Sequence, residues 1–304
     1  MNIFVTGASG YIGGAVARRL VAAGHQVTGL VRSSERAEKL RQARIVPILG
    51  SLDDDAALGD AARAADAVID AADADHTGAV EALTQALAGS GKPFIHTSGS
   101  SIVGDRAAGE PSERVYAEDT PLTPVPEKEA RIAIDRCVID AASQNIRAIV
   151  IVPTMIYGNG SSIQVPALIE QSIQAKAGVH VGRGLNRWSN VHIDDLADVY
   201  LLALDKASPG ETFYVGASEA TLRDIAAAIS RMLGFDGRTV SWTLEEAVRV
   251  WGVELGELAL GNNSRVSSEK ARRVLGWQPR REDILADIER GSYAARPGLH
   301  TSHN

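Results

Sequence analysis

The sequence predicts an α/β fold in which a doubly wound parallel sheet carries a smaller α-rich lobe at its carboxyl end. Three observations support this prediction. Apolar runs of strand length alternate with helix-like segments up to Pro153, which is the pattern of a parallel sheet with helices on both faces. A glycine-rich turn follows the first apolar run, and mainly helical segments follow Pro153. We expect one part over residues 1–153 and a second over residues 154–304, with some later segments returning to the sheet.

Six strands are predicted in the first part from short apolar runs, at residues 2–6, 26–31, 45–49, 67–70, 93–97 and 147–152. The helices between them are predicted from composition and helical spacing, at about residues 11–23, 35–43, 54–64, 78–88 and 127–143. Residues 98–126 are rich in glycine and proline and are predicted to be mostly loop. A loop of this length in a compact domain usually serves a functional site.

The second part is predicted to be a mainly helical substrate lobe. Its helices are expected at residues 166–176, 194–206, 222–233, 244–251 and 268–275, and its short strands near residues 188–192 and 213–215. Residues 297–304 are expected to form a frayed tail.

The glycine-rich turn at residues 7–13 (GASGYIG) lies between the first strand and the first helix. In such a turn the first glycine permits a tight bend, the second lets a diphosphate approach the backbone, and the third lets helix and strand pack closely. The free N–H groups and the positive dipole end of the helix then face the phosphates. The alternative is an ordinary glycine-rich turn. We predict dinucleotide binding at a set of residues in this turn: Gly7, Ser9, Gly10, Tyr11, Ile12 and Gly13.

Composition narrows the class of protein. The formal net charge of −7 provides no basic face for a nucleic acid or an anionic membrane. The sequence contains no apolar run of membrane-spanning length and no cationic leader with an apolar core. Cys137 is the single cysteine, so an internal disulfide is impossible, and its helical surroundings predict a buried structural thiol. We expect a cytoplasmic protein that acts on a small molecule.

Five segments resemble the extended short-chain dehydrogenases/reductases. Members of this group are commonly described from sequence as NAD-dependent epimerases/dehydratases. They are residues 6–13 (TGASGYIG), 97–98 (TS), 153–158 (PTMIYG), 191–197 (VHIDDLA) and 268–279 (SEKARRVLGWQP), in the family's order. The resemblance covers about residues 1–280. It implies a Rossmann-type NAD(P) domain of about seven strands, a substrate lobe built largely from the second half, and a homodimer.

The chain departs from this family at its catalytic pair, Tyr-x-x-x-Lys. None of the six tyrosines is followed by lysine four positions later. Counting back from Pro153 places Glu127 at the tyrosine position and Arg131 at the lysine position. The family's catalytic serine falls on Gly99. We therefore identify the chain as an atypical member of the family.

Arg32 directly follows the second strand, where an NAD enzyme carries an acidic residue for the adenosine ribose. A guanidinium there favours a 2′-phosphate, because charge-assisted bonds to phosphate are worth about 1.5–3 kcal/mol. Ser33 and Ser34 can add hydroxyl donors. The alternative is a solvated arginine at a helix start. We predict that NADP is preferred and that NAD is possible.

Other cofactor contacts are implied by position. Ser51 and Leu52 resemble the family's adenine-edge segment, although Ser51 or Asp53 could instead cap a helix. Small residues after the fourth strand let the backbone approach the cofactor, and a plain tight turn is the alternative. Arg131 is interpreted as a ribose contact, or as the surface partner of Glu127. The remaining predicted contacts are Ala71, Ala72, Thr97, Ser98, Pro153 and Met155.

Five residues are candidates for the proton donor that replaces the missing tyrosine: Ser98, Ser100, Tyr116, Tyr157 and His192. Each has a structural alternative: loop serines bond the backbone, the tyrosines pack, and the histidine makes a structural hydrogen bond. His192 with the adjacent Asp194 and Asp195 is interpreted as a helix start rather than a metal site.

Three functions remain open. The first is an NADP(H)-dependent oxidoreductase acting on a small carbonyl or alcohol. The second is a sugar-nucleotide epimerase or dehydratase, which suffers more from the missing pair because it must deprotonate a sugar hydroxyl. The third is a non-catalytic NADP(H)-binding sensor module.

Overall fold

The computed structural model describes residues 1–295, and the predicted tail from residue 297 lies outside them. The described residues form the strands β1 (Asn2–Val5), β2 (Gln26–Val31), β3 (Val46–Leu49), β4 (Ala67–Asp70), β5 (Pro93–Thr97), β6 (Arg147–Pro153), β7 (Met155–Tyr157), β8 (Gly178–Val181), β9 (Arg187–His192), β10 (Glu211–Val215), β11 (Ser218–Thr221) and β12 (Thr239–Trp242). The α-helices are α1 (Tyr11–Ala22), α2 (Ser34–Gln42), α3 (Asp55–Ala64), α4 (Thr77–Leu87), α5 (Glu129–Asp140), α6 (Gln164–Ala175), α7 (Ile193–Lys206), α8 (Leu222–Met232), α9 (Leu244–Gly252) and α10 (Ile284–Arg290).

The central sheet has seven strands in the order β10-β6-β5-β4-β1-β2-β3. Every pairing in it is parallel. The predicted doubly wound sheet is therefore confirmed. Its seventh strand, β10, comes from the second half of the chain and pairs with β6 in the register Glu211↔Ile149. The division at residue 153 stays a prediction.

Helices cover both faces of this sheet because successive strand residues point to opposite sides. On one face, Val5 and Ile95 pack with Leu20 of α1 and Val199 of α7. On the other face, buried residues of β4, β5 and β6 pack against α3, α4 and α5. The buried strand residues are mostly apolar on both faces, as is typical of a buried parallel sheet, with buried polar side chains at Asp70, His96 and Thr97 near the strand ends.

The lobe is formed around a third apolar cluster, which joins β7 and β9 to α6, α8 and α10. It contains a three-stranded sheet, β11-β9-β7, and a two-stranded sheet, β12-β8. The sequence did not predict β7, β8, β11 and β12, because they are only three or four residues long, which is too short for a periodic pattern to stand out. A helical segment with π-type hydrogen bonding, Val253–Leu260, was also missed.

The predicted helix at residues 127–143 is divided into a 3-10 turn at Pro126–Lys128, the helix α5, and a second 3-10 turn at Ala141–Gln144. The prediction of a buried Cys137 is wrong, because its side chain is exposed. The apolar side of α5 carries Ile132 and Val138, which leaves Cys137 toward solvent. Among residues 1–295, none of the helices combines the length and apolarity that crossing a bilayer requires.

Candidate functional site

A cleft of about 590 Å³ opens at the carboxyl ends of β1, β2 and β4. This is where the strand order reverses, between β1 and β4, and such a switch point is where open α/β sheets bind ligands. Ten predicted cofactor-binding residues line it: Gly7, Ser9, Gly10, Tyr11, Ile12, Arg32, Ser51, Leu52, Ala71 and Ala72.

The glycine turn forms the floor of this cleft. Gly7 has φ +68°, and a β-carbon on it would lie 2.5 Å from the carbonyl oxygen of Ala71. A β-carbon on Gly13 would collide with the carbonyl oxygen of Gly7. Gly10 caps α1 without a side-chain hydrogen bond. The first N–H groups of α1 are therefore available to an anion at the positive end of the helix dipole.

Two guanidinium groups lie at the edge of the cleft, after the end of β2. Arg32 and Arg36 line the cleft and are exposed, and within residues 1–295 neither makes a side-chain ion pair. Ser33 caps α2 by accepting the N–H of Arg36 at 3.3 Å. A neighbouring cavity of about 350 Å³ shares Ser9 and Arg36 with the cleft and adds Arg18 and Lys39. This part of the surface is therefore cationic.

The opposite wall follows β3 and β4. Ser51 accepts the N–H of Asp53 at 3.2 Å, whereas Asp54 caps α3, so the expectation of a cap at Ser51 or Asp53 is wrong. His76 caps α4, with its Nδ1 accepting the N–H of Ala79 at 3.0 Å. Its Nε2 therefore carries the proton and donates to Asp53 Oδ1 at 3.2 Å.

The far end of the cleft is lined by Thr154 and Ile156. The neighbouring predicted residues are oriented differently: Pro153 and Met155 are buried, and Met155 packs in the lobe core. The alternation of side chains along an extended segment explains this difference. That alternation could have identified Thr154 and Ile156 from the sequence.

A loop at residues 158–163 covers this end. Tyr11 donates its hydroxyl proton to the carbonyl oxygen of Gly158 at 2.9 Å, and Tyr293 accepts the N–H of Gly158 at 3.1 Å. Burial raises the pKa of Tyr11, so the phenol stays protonated. The side chains of Ser162 and Ile163 contribute to the cleft. The loop is thus tied to the cofactor corner and to the carboxyl-terminal segment.

The candidate donors do not form one cluster, and among them Tyr157 and His192 are in contact. Tyr157 is buried and donates to the carbonyl oxygen of Arg281 at 2.7 Å, and burial raises its pKa. His192 packs edge-on against the Tyr157 ring at 5.3 Å and caps α7, with Nδ1 accepting the N–H of Asp194 at 3.1 Å. Burial lowers the pKa of His192. Tyr116 lies away from Tyr157 and His192. Its ring is under the guanidinium of Arg114, and its backbone pairs with Val266.

The two serine candidates follow β5. Ser100 is buried and receives hydrogen bonds from Ser264 at its carbonyl oxygen (2.8 Å) and hydroxyl (3.0 Å). Ser98 donates to Asp135 Oδ2 at 2.7 Å. Thr97 exchanges a 2.8 Å hydrogen bond with the hydroxyl of Tyr200 and faces the opposite side of the sheet.

Arg131 and Glu127 do not pair. Glu127 turns outward and accepts two 2.8 Å hydrogen bonds from Arg106, so a surface pair between Glu127 and Arg131 is ruled out in this structure. Arg131 instead bonds Asp75, with Nε at 2.8 Å from Oδ1, and donates to Ser101 at 3.2 Å. Its Nη1 lies 3.4 Å from where a β-carbon on Gly99 would be, so the guanidinium fills the space beside that glycine.

The structure therefore brings the glycine turn, Arg32 and the residues after β3 and β4 into one cleft. Predicted contacts outside the cleft lining are Gly13, Ser33, Thr97, Ser98, Arg131, Pro153 and Met155. Among residues 1–295, no group of three His, Cys, Asp or Glu side chains is arranged to hold a metal ion.

The seven-stranded parallel sheet and its glycine turn define a Rossmann-type α/β protein. The sequence profile of the NAD dependent epimerase/dehydratase family matches residues 3–216. The chain belongs to this family, and it is an extended short-chain dehydrogenase/reductase, as its motifs indicate.

Three comparisons describe its relatives. An uncharacterized protein of Schizosaccharomyces pombe is 32% identical, over 96% of this chain and all of its own length. A 4-hydroxy-2-methyl-3-oxo-4-farnesyl-3,4-dihydroquinoline-1-oxide ketoreductase of Stigmatella aurantiaca is 26% identical, over 92% of each chain. The structure of a dTDP-glucose 4,6-dehydratase from Bacillus anthracis in complex with NAD superposes with a TM-score of 0.76 at 16% identity, covering 97% of this chain and 95% of that one. This last likeness concerns the fold.

Proposed function

We propose that the protein is an NADP(H)-dependent oxidoreductase that transfers hydride to or from a small carbonyl or alcohol. The observation that carries this proposal is the cleft at the strand switch point. On one side of it lies the N-terminus of α1, which has no side-chain cap, and on the other side lie the guanidinium groups of Arg32 and Arg36. The first feature suits a diphosphate, and the second suits an additional phosphate.

The residues present fit this cofactor. The free N–H groups at the start of α1 would hold the diphosphate, and the close approach of Gly7 to Ala71 leaves the floor without side chains. Arg32 and Arg36, with Arg18 of the adjoining cavity, would hold the 2′-phosphate, whereas Lys39 is already paired with Glu35 at 2.7 Å. The side chains of Asp53 and His76 would then lie beside the adenosine part of the cofactor.

When bound, the reduced nicotinamide supplies the hydride. The chain's own residues have to hold the substrate carbonyl and provide a proton to its oxygen. Orientation of the two reactants is worth about 7–11 kcal/mol, whereas a general acid contributes about 10²–10⁴-fold. The position of the cleft at the ends of β1, β2 and β4 therefore matters more than the identity of the acid. We assign the proton donation to Ser98, whose hydroxyl follows β5 and donates to the half-buried carboxyl group of Asp135 at 2.7 Å.

The relatives support reduction of a carbonyl. The name of the Stigmatella protein describes a ketoreductase, and this chain matches 92% of its length. The dehydratase likeness and the family supply the second candidate, a sugar-nucleotide epimerase or dehydratase.

The test is NADPH oxidation, followed at 340 nm, with a panel of aldehydes, ketones and imines and, separately, with UDP- and dTDP-sugars. Turnover of a panel carbonyl is the expected result. Conversion of a sugar nucleotide without net NADPH consumption would favour the second candidate. Tight NADPH binding without turnover of any compound would favour a sensor module and overturn the proposal.

A further inference from the structure

One glycine beside the cleft is held by tyrosines from both ends of the chain. The carbonyl oxygen of Gly158 accepts the hydroxyl proton of Tyr11 at 2.9 Å, and its N–H donates to the hydroxyl oxygen of Tyr293 at 3.1 Å. Tyr11 belongs to the glycine-rich turn, whereas Tyr293 follows α10 and is fully buried. The loop at residues 158–163 is therefore fixed from both sides.

The hydroxyl group of Tyr293 makes two further contacts with the same loop. It donates its proton to the carbonyl oxygen of Ser161 at 2.5 Å, and it lies 3.3 Å from Ser162 Oγ. A phenol hydroxyl has one proton to donate and two lone pairs. Three groups of one loop, the N–H of Gly158, the carbonyl of Ser161 and the hydroxyl of Ser162, match this capacity. Tyr293 is thus a hydrogen-bonding anchor for the loop as well as a core residue.

The backbone of this loop is strained. Gly158, Asn159, Gly160 and Ser162 have φ values of +108°, +55°, +64° and +140°. Residues other than glycine rarely adopt positive φ, and they keep such a conformation only where the surrounding structure imposes it. The hydrogen bonds of the two tyrosines impose it here. The strain therefore favours an open arrangement of the loop, and the hydrogen bonds favour the closed arrangement that the structure shows.

The loop lies at the far end of the cofactor cleft. Ser162, Ile163 and Gln164 line the cleft together with Thr154 and Ile156. The side chain of Ile163 is 71% exposed, more than any other large apolar side chain in the described part of the chain. Covering an isoleucine is favourable because apolar surface leaves water. A molecule bound in the cleft would provide that cover.

We infer that residues 158–163 form a gate over the far end of the cleft, and that Tyr11 and Tyr293 hold this gate closed, so that the carboxyl-terminal segment sets how fast NADP(H) enters and leaves. The inference rests on the proposed function, because it takes NADP(H) as the occupant. Tyr293 lies outside the cleft lining and acts through Gly158 and Ser161. It is therefore a positioning residue. Closure of such a segment keeps water from a reactive site, and its opening often limits turnover.

The first test requires neither substrate nor cofactor. Amide hydrogen exchange is measured by NMR in the wild type and in Tyr293→Phe. The reporter is the N–H of Ser161, which donates to the carbonyl oxygen of Gly158 at 3.2 Å and not to either tyrosine. We expect this N–H to exchange about 10- to 100-fold faster in Tyr293→Phe, because buried groups that lose a hydrogen-bond partner shift an equilibrium by about this factor. An unchanged rate would overturn the gate.

Low concentrations of urea separate opening of the gate from unfolding of the protein. Local opening exposes little surface, so the exchange of Ser161 should be nearly independent of urea, whereas amides of α8 that exchange through unfolding should accelerate. The same urea dependence at Ser161 and in α8 would overturn the gate.

Tyr200→Phe is the matched control for the exchange test. Tyr200 is also a fully buried tyrosine, and its hydroxyl contacts Thr97 at 2.8 Å on another part of the molecule. Its loss should lower the free energy of unfolding and leave the exchange of Ser161 unchanged. Acceleration of Ser161 in Tyr200→Phe equal to that in Tyr293→Phe would mean that exchange reports stability, and this result would overturn the gate.

The second test measures NADPH association and dissociation by stopped-flow fluorescence. In Tyr293→Phe both rate constants should rise by about 10-fold or more, and Kd should change by less than either, because the gate opens more often in the free and the bound protein alike. Faster dissociation with unchanged or slower association would show that Tyr293 supports the binding surface itself. That result would overturn the gate.

Ile163→Ala tests what the closed gate covers. It should raise the NADPH dissociation rate constant by about 10-fold and leave association unchanged, because part of the buried apolar area is lost only in the complex. Ile173→Ala is the control, since Ile173 is a 46% exposed residue of α6 outside the cleft lining. Equal dissociation rate constants in the two variants would contradict closure of the loop onto the cofactor.

A second variant keeps the inference testable if Tyr293→Phe fails to fold. Tyr11→Phe loses one hydrogen bond to the same glycine and should accelerate the exchange of Ser161 by about 3- to 10-fold; an unchanged rate would overturn the gate. If NADPH does not bind to the wild type, the proposed function fails. The exchange of Ser161 would still decide whether the two tyrosines hold the loop.

Discussion

The cleft and the polar side chains beside β5 are built in different ways. The glycine corner of the cleft uses backbone groups from one continuous stretch, residues 6–13, and its geometry is imposed by contacts such as that between Gly13 and Gly7. The polar group beside β5 lies outside the cleft lining and uses side chains from β4, β5 and α5, together with partners from the lobe such as Ser264. A backbone site tolerates no added atoms, whereas a site of side chains can exchange one donor for another.

The largest effect is expected from a substitution in the glycine-rich turn at residues 7–13. Gly13→Ala places a methyl group against the carbonyl oxygen of Gly7, which is backbone and has no room to move. We expect NADPH affinity to fall by more than about 100-fold, or the fold to lose about 1–3 kcal/mol through overpacking. Calorimetric titration and thermal unfolding measure the two effects.

Gly59→Ala is the matched control for this change. Gly59 lies inside α3, and its added methyl group meets the flexible end of Arg63. The substitution should be neutral or stabilise the protein by about 0.5–1 kcal/mol. If Gly13→Ala changes NADPH affinity and stability no more than Gly59→Ala does, the backbone at Gly7 can move aside and the prediction is wrong.

The next effect separates the two nicotinamide cofactors. Arg32→Ala should weaken NADPH binding by about 10- to 100-fold and leave NADH binding nearly unchanged, because in the proposed complex the guanidinium would contact only the additional phosphate. Fluorescence titration with both cofactors measures this. Arg41→Ala removes an exposed arginine of α2 that already pairs with Glu38, and it should change neither affinity. Equal losses for NADPH and NADH in Arg32→Ala would contradict the preference for NADP.

A smaller effect is expected at Tyr157, one of the candidate proton donors. Tyr157→Phe removes the hydrogen bond to the carbonyl oxygen of Arg281, so the free energy of unfolding should fall by about 1 kcal/mol. Urea unfolding measures this loss. A fall in kcat of about 100-fold or more at unchanged stability would instead identify Tyr157 as the proton donor and displace Ser98 from that role.

The smallest effect depends on pH. Arg131 holds the pKa of Asp75 below its ordinary value, so this pair stabilises the folded state above the unfolded pKa of about 4. The stabilisation is lost as the pH falls through the lowered folded pKa. Because the Asp75 side chain is 54% exposed, we expect less than about 1 kcal/mol.

Unfolding of the wild type and of Asp75→Asn, compared at about pH 7 and pH 3 on either side of the ordinary aspartate pKa, checks this prediction. The difference between them should be present at the higher pH and be smaller at the lower. Asp60→Asn, which removes an ordinary surface carboxylate beside Arg63, gives the background. A difference that grows toward pH 3 would have the wrong sign for the proposed pair.

The sequence predicted the parts of the molecule that are continuous in the chain. The strands of the central sheet are uninterrupted apolar runs, so β2, β4 and β5 were located to the residue. Four lobe strands were missed because segments such as β11 (SEAT) acquire their pairing only from β9. Arg36 lies one helical turn after Arg32, so that spacing could have identified it.

The close approach of His96 and Asp135 could not be found in this way. His96 and Asp135 are 39 positions apart and carry no motif, and they meet only because α5 packs across β5 and β6. Glu127 was placed correctly on the start of a helical segment. However, the 3-10 geometry of Pro126–Lys128 turns it toward Arg106, and that geometry depends on the loop before it.

The position of β10 has a consequence for synthesis of the protein. While the chain leaves the ribosome, β6 (RAIVIVP) has no neighbour on its outer side until residues 211–215 have emerged. During that interval, the nascent sheet exposes an apolar strand with unpaired backbone groups, which is the kind of edge that recruits other chains. Translation of the 57 residues between β6 and β10 (154 to 210) is therefore the period in which we expect this protein to need a chaperone.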